Sequence, residues 1–235
     1  MMKSKKSIKY ILWDIDGTLL DFELAENTAI RECFKDFNLG NCSDKQLKDY
    51  KKINNKFWNQ LENGKISKKE VLEGRFVEFF LKNGIDTDIA SEFNETYQIW
   101  LGNIVYYIKN AKETVLALKT KYKQYGATNG TIVAQEKKLA KSGLDKLLDD
   151  VFISEKIGFN KPSINYYKAV FEKVGSHNLE EYIMIGDSLT SDMQGGINAG
   201  ISTCWFNPNK KQNDKKLNID YEINNLKEVI DILTK

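Results

Sequence analysis

The chain has 235 residues, 41% of them hydrophobic and 11% aromatic, which suits one large domain or one domain with an insertion and excludes a disordered chain. Lysine and arginine number 35 against 33 acids, a formal charge of +2, so the basic surplus that nucleic-acid binding demands is missing. Cys33, Cys42 and Cys204 are too few and too scattered for a disulfide framework or a zinc site.

Ile8–Trp13 is a short apolar run that ends in Asp14 and is predicted to be a buried strand. Residues 21–105 follow with helical patterns only. Phe22, Ala25, Ala29, Cys33 and Phe37 make the first stripe, and the pairs Ser43/Gln46 and Ser67/Glu70 have the spacing of capping boxes that open the next two helices. Leu72, Phe76, Phe79 and Phe80 give the third helix an apolar face; Ile89, Phe93, Tyr97 and Trp100 do so for a fourth. After these, strands are predicted at Tyr125–Thr128, Val151–Ser154, Tyr182–Gly186 and Thr203–Phe206. Between them lie helices at Ala111–Lys121, at Ile132–Lys141 with Gly143 as its stop, and from Pro162 onward through Ile164, Tyr167, Phe171 and Val174.

Alternating strands and helices mean an α/β fold, a Rossmann-like parallel sheet with helices on both faces. A strand-to-strand crossover needs only about 30 residues, yet 110 positions separate Thr18 from Thr128. A helical domain is therefore inserted after the first strand. The expected division is a core of 1–20 and 106–235 with a cap of 21–105. Ligands bind at the carboxyl ends of such sheets, so the cap is placed to act as a lid.

Polar clusters follow each of four strands or their connections: Asp14-Ile-Asp16-Gly-Thr18, Thr128-Asn129-Gly130, Lys161-Pro162, and Gly186-Asp187-Ser188 with Asp192. Alone, each is ordinary, since Asp-x-Asp is usually surface, Thr-Asn-Gly a turn and Gly-Asp-Ser a helix cap. Together, at the same edge of a sheet, they make a site. Four close carboxylates repel one another, and a hard dication with oxygen ligands, Mg²⁺, relieves that. Lys161 supplies a fixed cation for a phosphate, and Thr128 and Asn129 supply a hydroxyl, an amide and backbone N–H groups near a helix start.

This order of motifs resembles the haloacid dehalogenase superfamily of phosphohydrolases along essentially the whole chain. The segments Ala127–Gly130, Gly143-Leu144 and Ile153–Pro162 are similar to its pyrimidine nucleotidases. The resemblance implies Asp14 as nucleophile and Asp16 as general acid and base, with surroundings that let it hold a proton at the first step. It also implies Mg²⁺ on Asp14, the Asp16 carbonyl and Asp187, with Asp192 ordering metal-bound water behind them, and Thr128, Asn129 and Lys161 on the phosphoryl oxygens. Members that remove halide lack the second aspartate, so Asp16 favours a phosphate ester. A non-enzymatic relative would have lost Asp14 or Asp187.

The expected function is hydrolysis of pyrimidine nucleoside 5′-monophosphates. The alternative is a phosphoglycolate or sugar-phosphate phosphatase, or a β-phosphoglucomutase-like phosphotransferase. Arg75 is a candidate substrate contact, or else it lies over the cap's apolar face. Trp58, Phe57, Tyr97 and Trp100 either stack on a base or fill the core, and His177 is a loop residue without a role. The lysines Lys5, Lys6 and those of 210–216 read as solvated. No run reaches the roughly 18 apolar residues of a membrane helix. With no leader-like segment and no disulfides, a cytoplasmic enzyme acting on a small molecule, without nucleic acid or membrane, is expected. Trp13 stands where the family more often has phenylalanine, and the strand around Gln124 is unusually polar for it.

Overall fold

The computed structural model describes residues 8–234; Lys5, Lys6 and the first part of the 1–20 segment lie outside them. In chain order the elements are β1 (Tyr10–Trp13), α1 (Phe22–Asp36), α2 (Asp44–Glu62), α3 (Lys68–Asn83), α4 (Ala90–Asn103) and α5 (Ala111–Leu118). Next come β2 (Lys123–Thr128), α6 (Ile132–Ser142), α7 (Leu144–Leu147), β3 (Asp150–Ile153), α8 (Ser154–Ile157) and α9 (Ile164–Val174). The chain continues with β4 (Tyr182–Gly186), α10 (Gln194–Ala199), β5 (Ser202–Phe206), β6 (Tyr221–Ile223) and α11 (Glu228–Thr234). The strands form one six-stranded parallel sheet in the order β3-β2-β1-β4-β5-β6.

Side chains alternate across β1 as the strand period requires. Ile11 and Trp13 join the core on the face covered by α5 and α11, while Leu12 joins the opposite core with Tyr167 and Val170 of α9. Trp13 is wholly buried, and its indole donates to Gln124 Oε1 at 2.9 Å. The Gln124 amide in turn donates to the Val115 carbonyl at 2.9 Å. The unusual tryptophan and the polar strand are thus one feature, because a buried indole N–H needs an acceptor and Gln124 supplies it.

Helices α1 to α4 pack around a separate apolar cluster. Phe76 sits at its middle, with ring centroids 5.0 Å from Phe93 and 5.2 Å from both Tyr50 and Tyr97. Ser43 and Ser67 form complete capping boxes with Gln46 and Glu70, as their spacing predicts. The layer meets the core through α6. Ala134 joins the cluster, and a Cβ at Gly102 of α4 would lie 3.0 Å from Lys137 Cβ and 3.2 Å from the Ala134 carbonyl.

Some local readings shift. The first strand starts at Tyr10, two residues later than expected. Pro162 does not begin a helix: Ser163 caps α9 by accepting from Asn165 N, and Ile164 is 36% exposed rather than part of the apolar stripe, which runs through Tyr166, Tyr167, Val170 and Phe171. The short β6 had no apolar run to mark it; only Ile223 of its three residues is buried. Among the described residues no helix is long and apolar enough to cross a membrane.

Candidate active site

The polar clusters meet at the carboxyl edge of β1, β2 and β4. Sheet order runs one way from β1 through β2 and β3, and the other way through β4 to β6, so the crevice between β1 and β4 is the switch point at which such sheets bind ligands. Asp14 leaves β1 there, its N–H donating to the Ile185 carbonyl at 2.9 Å. Asp187 leaves β4 beside it.

Lys161 ties the cluster together. Its ammonium, 1% exposed, donates to Asp14 Oδ1 at 2.8 Å, Asp192 Oδ1 at 2.7 Å and the Ala127 carbonyl at 2.6 Å. Thr18 Oγ1 donates to Asp14 Oδ2 at 3.0 Å, so the aspartate is held at both oxygens. Asp192 spends its second oxygen on the Ser188 N–H at 3.0 Å. Glycine makes room for these carboxylates. A Cβ at Gly186 would fall 2.2 Å from Asp192 Oδ2, and one at Gly17, whose φ is +95°, would fall 2.9 Å from the Asp187 carboxylate.

Burial, and then the Asp192 charge, push the Asp14 carboxyl well above the ordinary carboxylate range, with Lys161 opposing. The same two causes raise Asp187 to about 7. Burial works against the Lys161 ammonium, but Asp14 and Asp192 outweigh it and hold its pKa well above that of a free lysine. One oxygen from each of Asp14, Asp187 and Asp192 lies within 4.8 Å of the others. Three carboxylates around a single buried lysine leave an excess of negative charge on oxygen donors alone. That set fits a hard divalent cation such as Mg²⁺.

The Asn129 side chain does not stand free for an anion. Its amide donates to the Lys161 carbonyl at 2.9 Å and its Oδ1 accepts from the Lys161 N–H at 2.8 Å, fixing the loop that carries the lysine. Thr128 Oγ1 accepts from the Gly130 N–H at 3.0 Å and turns the loop into α6. Asp16 is engaged from α6: Gln135 Nε2 donates to its Oδ2 at 2.5 Å, and Lys138 Nζ pairs with its Oδ1. Neither residue was singled out from sequence. A signal was present, since Gln135 and Lys138 occupy the same inward face of α6 as Ala134 and Leu139, where apolar residues belong.

Above these groups lies a cavity of about 220 Å³ roofed by the α1–α4 layer. Trp58, Phe22, Leu72 and Leu101 give it apolar walls, and Asn55 and Gln98 give it amides. Of the four aromatics considered, Trp58 alone lines this cavity; Tyr97 is core, and Trp100 donates to Asp36 at 2.7 Å. Arg75 is 1% exposed and lines the cavity beside Asn54; it donates to Asn54 at 3.0 Å and Asn94 at 2.9 Å and stacks on Phe76 and Tyr97. Lys68 and Glu62 are among the side chains that join the layer to the core. Lys68 donates to the Gly130 carbonyl at 2.9 Å, burial lowering its pKa to about 8. Glu62 accepts from Thr190 Oγ1, burial raising its pKa to about 7. His177 is exposed, 3.7 Å from Glu172.

Residues 11–206 match the family model of haloacid dehalogenase-like hydrolases. The chain is 37% identical over 228 residues to the HAD-hydrolase YfnB of Bacillus subtilis, covering 97% of this chain and 96% of that one. It is 36% identical over 229 residues to the pyrimidine 5′-nucleotidase PynA of Streptococcus pneumoniae, covering 97% and 95%. The crystal structure of YfnB bound to magnesium superposes with a TM-score of 0.92 at 36% identity, covering 98% of this chain and 100% of that one.

Proposed function

The chain belongs to the haloacid dehalogenase-like hydrolase family, and from that premise we propose that it is a Mg²⁺-dependent phosphatase of pyrimidine nucleoside 5′-monophosphates. The observation that carries the reading is the convergence of Asp14, Lys161, Asp187 and Asp192, from three separate stretches of the chain, in one cavity. The similarity to PynA supports the nucleotide substrate, and the apolar face of Trp58 gives a base a surface to lie on.

In the first step an Asp14 oxygen attacks phosphorus and the bond from phosphorus to the ester oxygen breaks. Asp16 gives that oxygen its proton. In the second, Asp16 takes a proton from water, the water oxygen attacks the aspartyl-phosphate, and the bond from phosphorus to Asp14 breaks, releasing phosphate and restoring both residues. Lys161, the Thr128 hydroxyl and the loop into α6 hold the phosphoryl oxygens, and Asn129 holds Lys161. Mg²⁺, held by Asp14, Asp187 and the Asp16 main chain with Asp192 in support, would supply the positive charge that phosphoryl transfer needs. Residues 21–105 act as the lid over the core of 1–20 and 106–235, keeping bulk water from the site.

A panel of monophosphates with Mg²⁺, against the same panel with a chelator, tests this. Uridine and thymidine monophosphates are expected to turn over well above glycolate and hexose phosphates, and only with the metal. The reverse order would leave the sugar-phosphate alternative standing. Asp14→Asn is expected to abolish turnover while sparing the fold; retained activity rules out the covalent route.

A further inference from the structure

Asp16 is gripped from outside its own motif. Gln135 Nε2 reaches Oδ2 at 2.5 Å, and Lys138 Nζ reaches Oδ1. Both donors stand on α6, three residues apart and therefore on one helix face. They are 1% and 2% exposed, while the Asp16 side chain keeps 19% of its surface and lines the cavity. Burying an ammonium and an amide on a face shared with Ala134 and Leu139 is unfavourable unless both are satisfied. Asp16 accepts from the Lys138 ammonium and from the Gln135 amide N–H, while Gln135 Oε1 has no hydrogen-bond partner among the described residues.

The surrounding packing serves this contact. A Cβ at Gly130 would lie 2.1 Å from Gln135 Nε2, so the glycine clears the path of that side chain across the loop. The Lys138 ammonium also lies over the Phe22 ring, 5.6 Å from its centroid. Helix α6 is itself pinned. Thr131 caps it and donates to Gln98 Oε1 of α4 at 2.7 Å, and Gly102 of α4 sits against Ala134. The helix that begins at the phosphate loop thereby sets the place of the Asp16 carboxylate as well.

We propose that Gln135 and Lys138 are positioning residues that set the Asp16 carboxylate for proton transfer at the ester oxygen. The inference rests on the assignment of Asp16 as acid and base made above. It predicts a dependence on the leaving group. A nucleoside alkoxide departs only with a proton, whereas p-nitrophenolate departs without one, so misplacing Asp16 harms the first and not the second. The quantity kcat/KM ends at phosphoryl transfer, so the later activation of water does not enter it. General damage to the phosphate site lowers both substrates together and leaves their ratio unchanged.

The experiment measures kcat/KM for uridine 5′-monophosphate and p-nitrophenyl phosphate, with Mg²⁺, in the wild type, Asp16→Asn, Lys138→Met, Gln135→Met and Lys138→Arg. Asp16→Asn is expected to lower the nucleotide relative to the aryl ester by about 100-fold, and Lys138→Met and Gln135→Met by about 10-fold each. Lys138→Arg, which keeps the cation, is expected to restore most of the ratio. Should Lys138→Met not fold, Gln135→Met and Lys138→Arg carry the same readout. A shift in Asp16→Asn with none in the α6 variants overturns this inference and leaves the reading of Asp16 intact. No shift in Asp16→Asn overturns both. A rise in the nucleotide's kcat/KM on losing Lys138 also refutes the proposal, since the lysine would then restrain Asp16.

Discussion

Replacing Asp187 by asparagine is expected to stabilise the metal-free protein while removing its response to Mg²⁺. Burial and the Asp192 charge raise the Asp187 carboxyl to about 7 in the fold, against an ordinary value of about 3.9 in the unfolded chain. Because the folded pKa is the higher one, the native state binds the extra proton between those values, and stability falls as pH rises through the window. A shift of about 3 units is worth about 4 kcal/mol once the pH exceeds 7. Asp187 keeps partial contact with solvent, and screening reduces this to about 2 kcal/mol. Asparagine has the same shape without the charge. The metal-free variant should therefore melt about 4–8 °C above the wild type at pH 8, with about a third of that gap at pH 5. Adding Mg²⁺ at a hundred times its Kd should give the wild type about 2.7 kcal/mol and the variant far less. Thermal melts at both pH values, with chelator and with Mg²⁺, make the measurement. A metal-free variant less stable than the wild type at pH 8, or a gap that does not grow with pH, would refute the electrostatic account of the site.

Lys161→Met leaves Asp14 and Asp192 without their shared ammonium, and breaking such buried pairs costs about 3–5 kcal/mol; urea denaturation of the metal-free protein should show it, together with a loss of turnover of about 100-fold or more. Trp13→Phe leaves Gln124 Oε1 without its donor, a loss of about 1–3 kcal/mol. Pairing it with Gln124→Met should recover part of that, and a double-mutant cycle showing strictly additive effects would contradict the link between the two positions. Gly102→Leu forces α4 away from α6, where even a Cβ meets Lys137 and Ala134 at 3.0–3.2 Å; a destabilisation of about 1–3 kcal/mol is expected, read in the same denaturation assay.

Much of this protein was decided locally. Each site motif follows a strand or its connection, so a short apolar run with a polar cluster at its end marked both the element and the chemistry, as at Tyr10–Trp13 with Asp14 and Tyr182–Gly186 with Asp187. The capping boxes at Ser43 and Ser67 were legible for the same reason, since partners three residues apart need no tertiary fold to find each other. The length of the stretch between Thr18 and Thr128 announced an inserted helical layer before any contact was known. Tertiary structure decided the partners. Gln135 and Lys138 meet Asp16 across more than a hundred positions, the Asn129 amide turns to the Lys161 main chain, and Arg75 is drawn inward by Asn54 and Asn94. Nothing in the local sequence ranks one distant partner above another. Spacing along the chain tells which residues can share a helix face or a strand end, but which of two facing surfaces a buried polar group satisfies depends on how the helices pack, and that is set by the whole core at once.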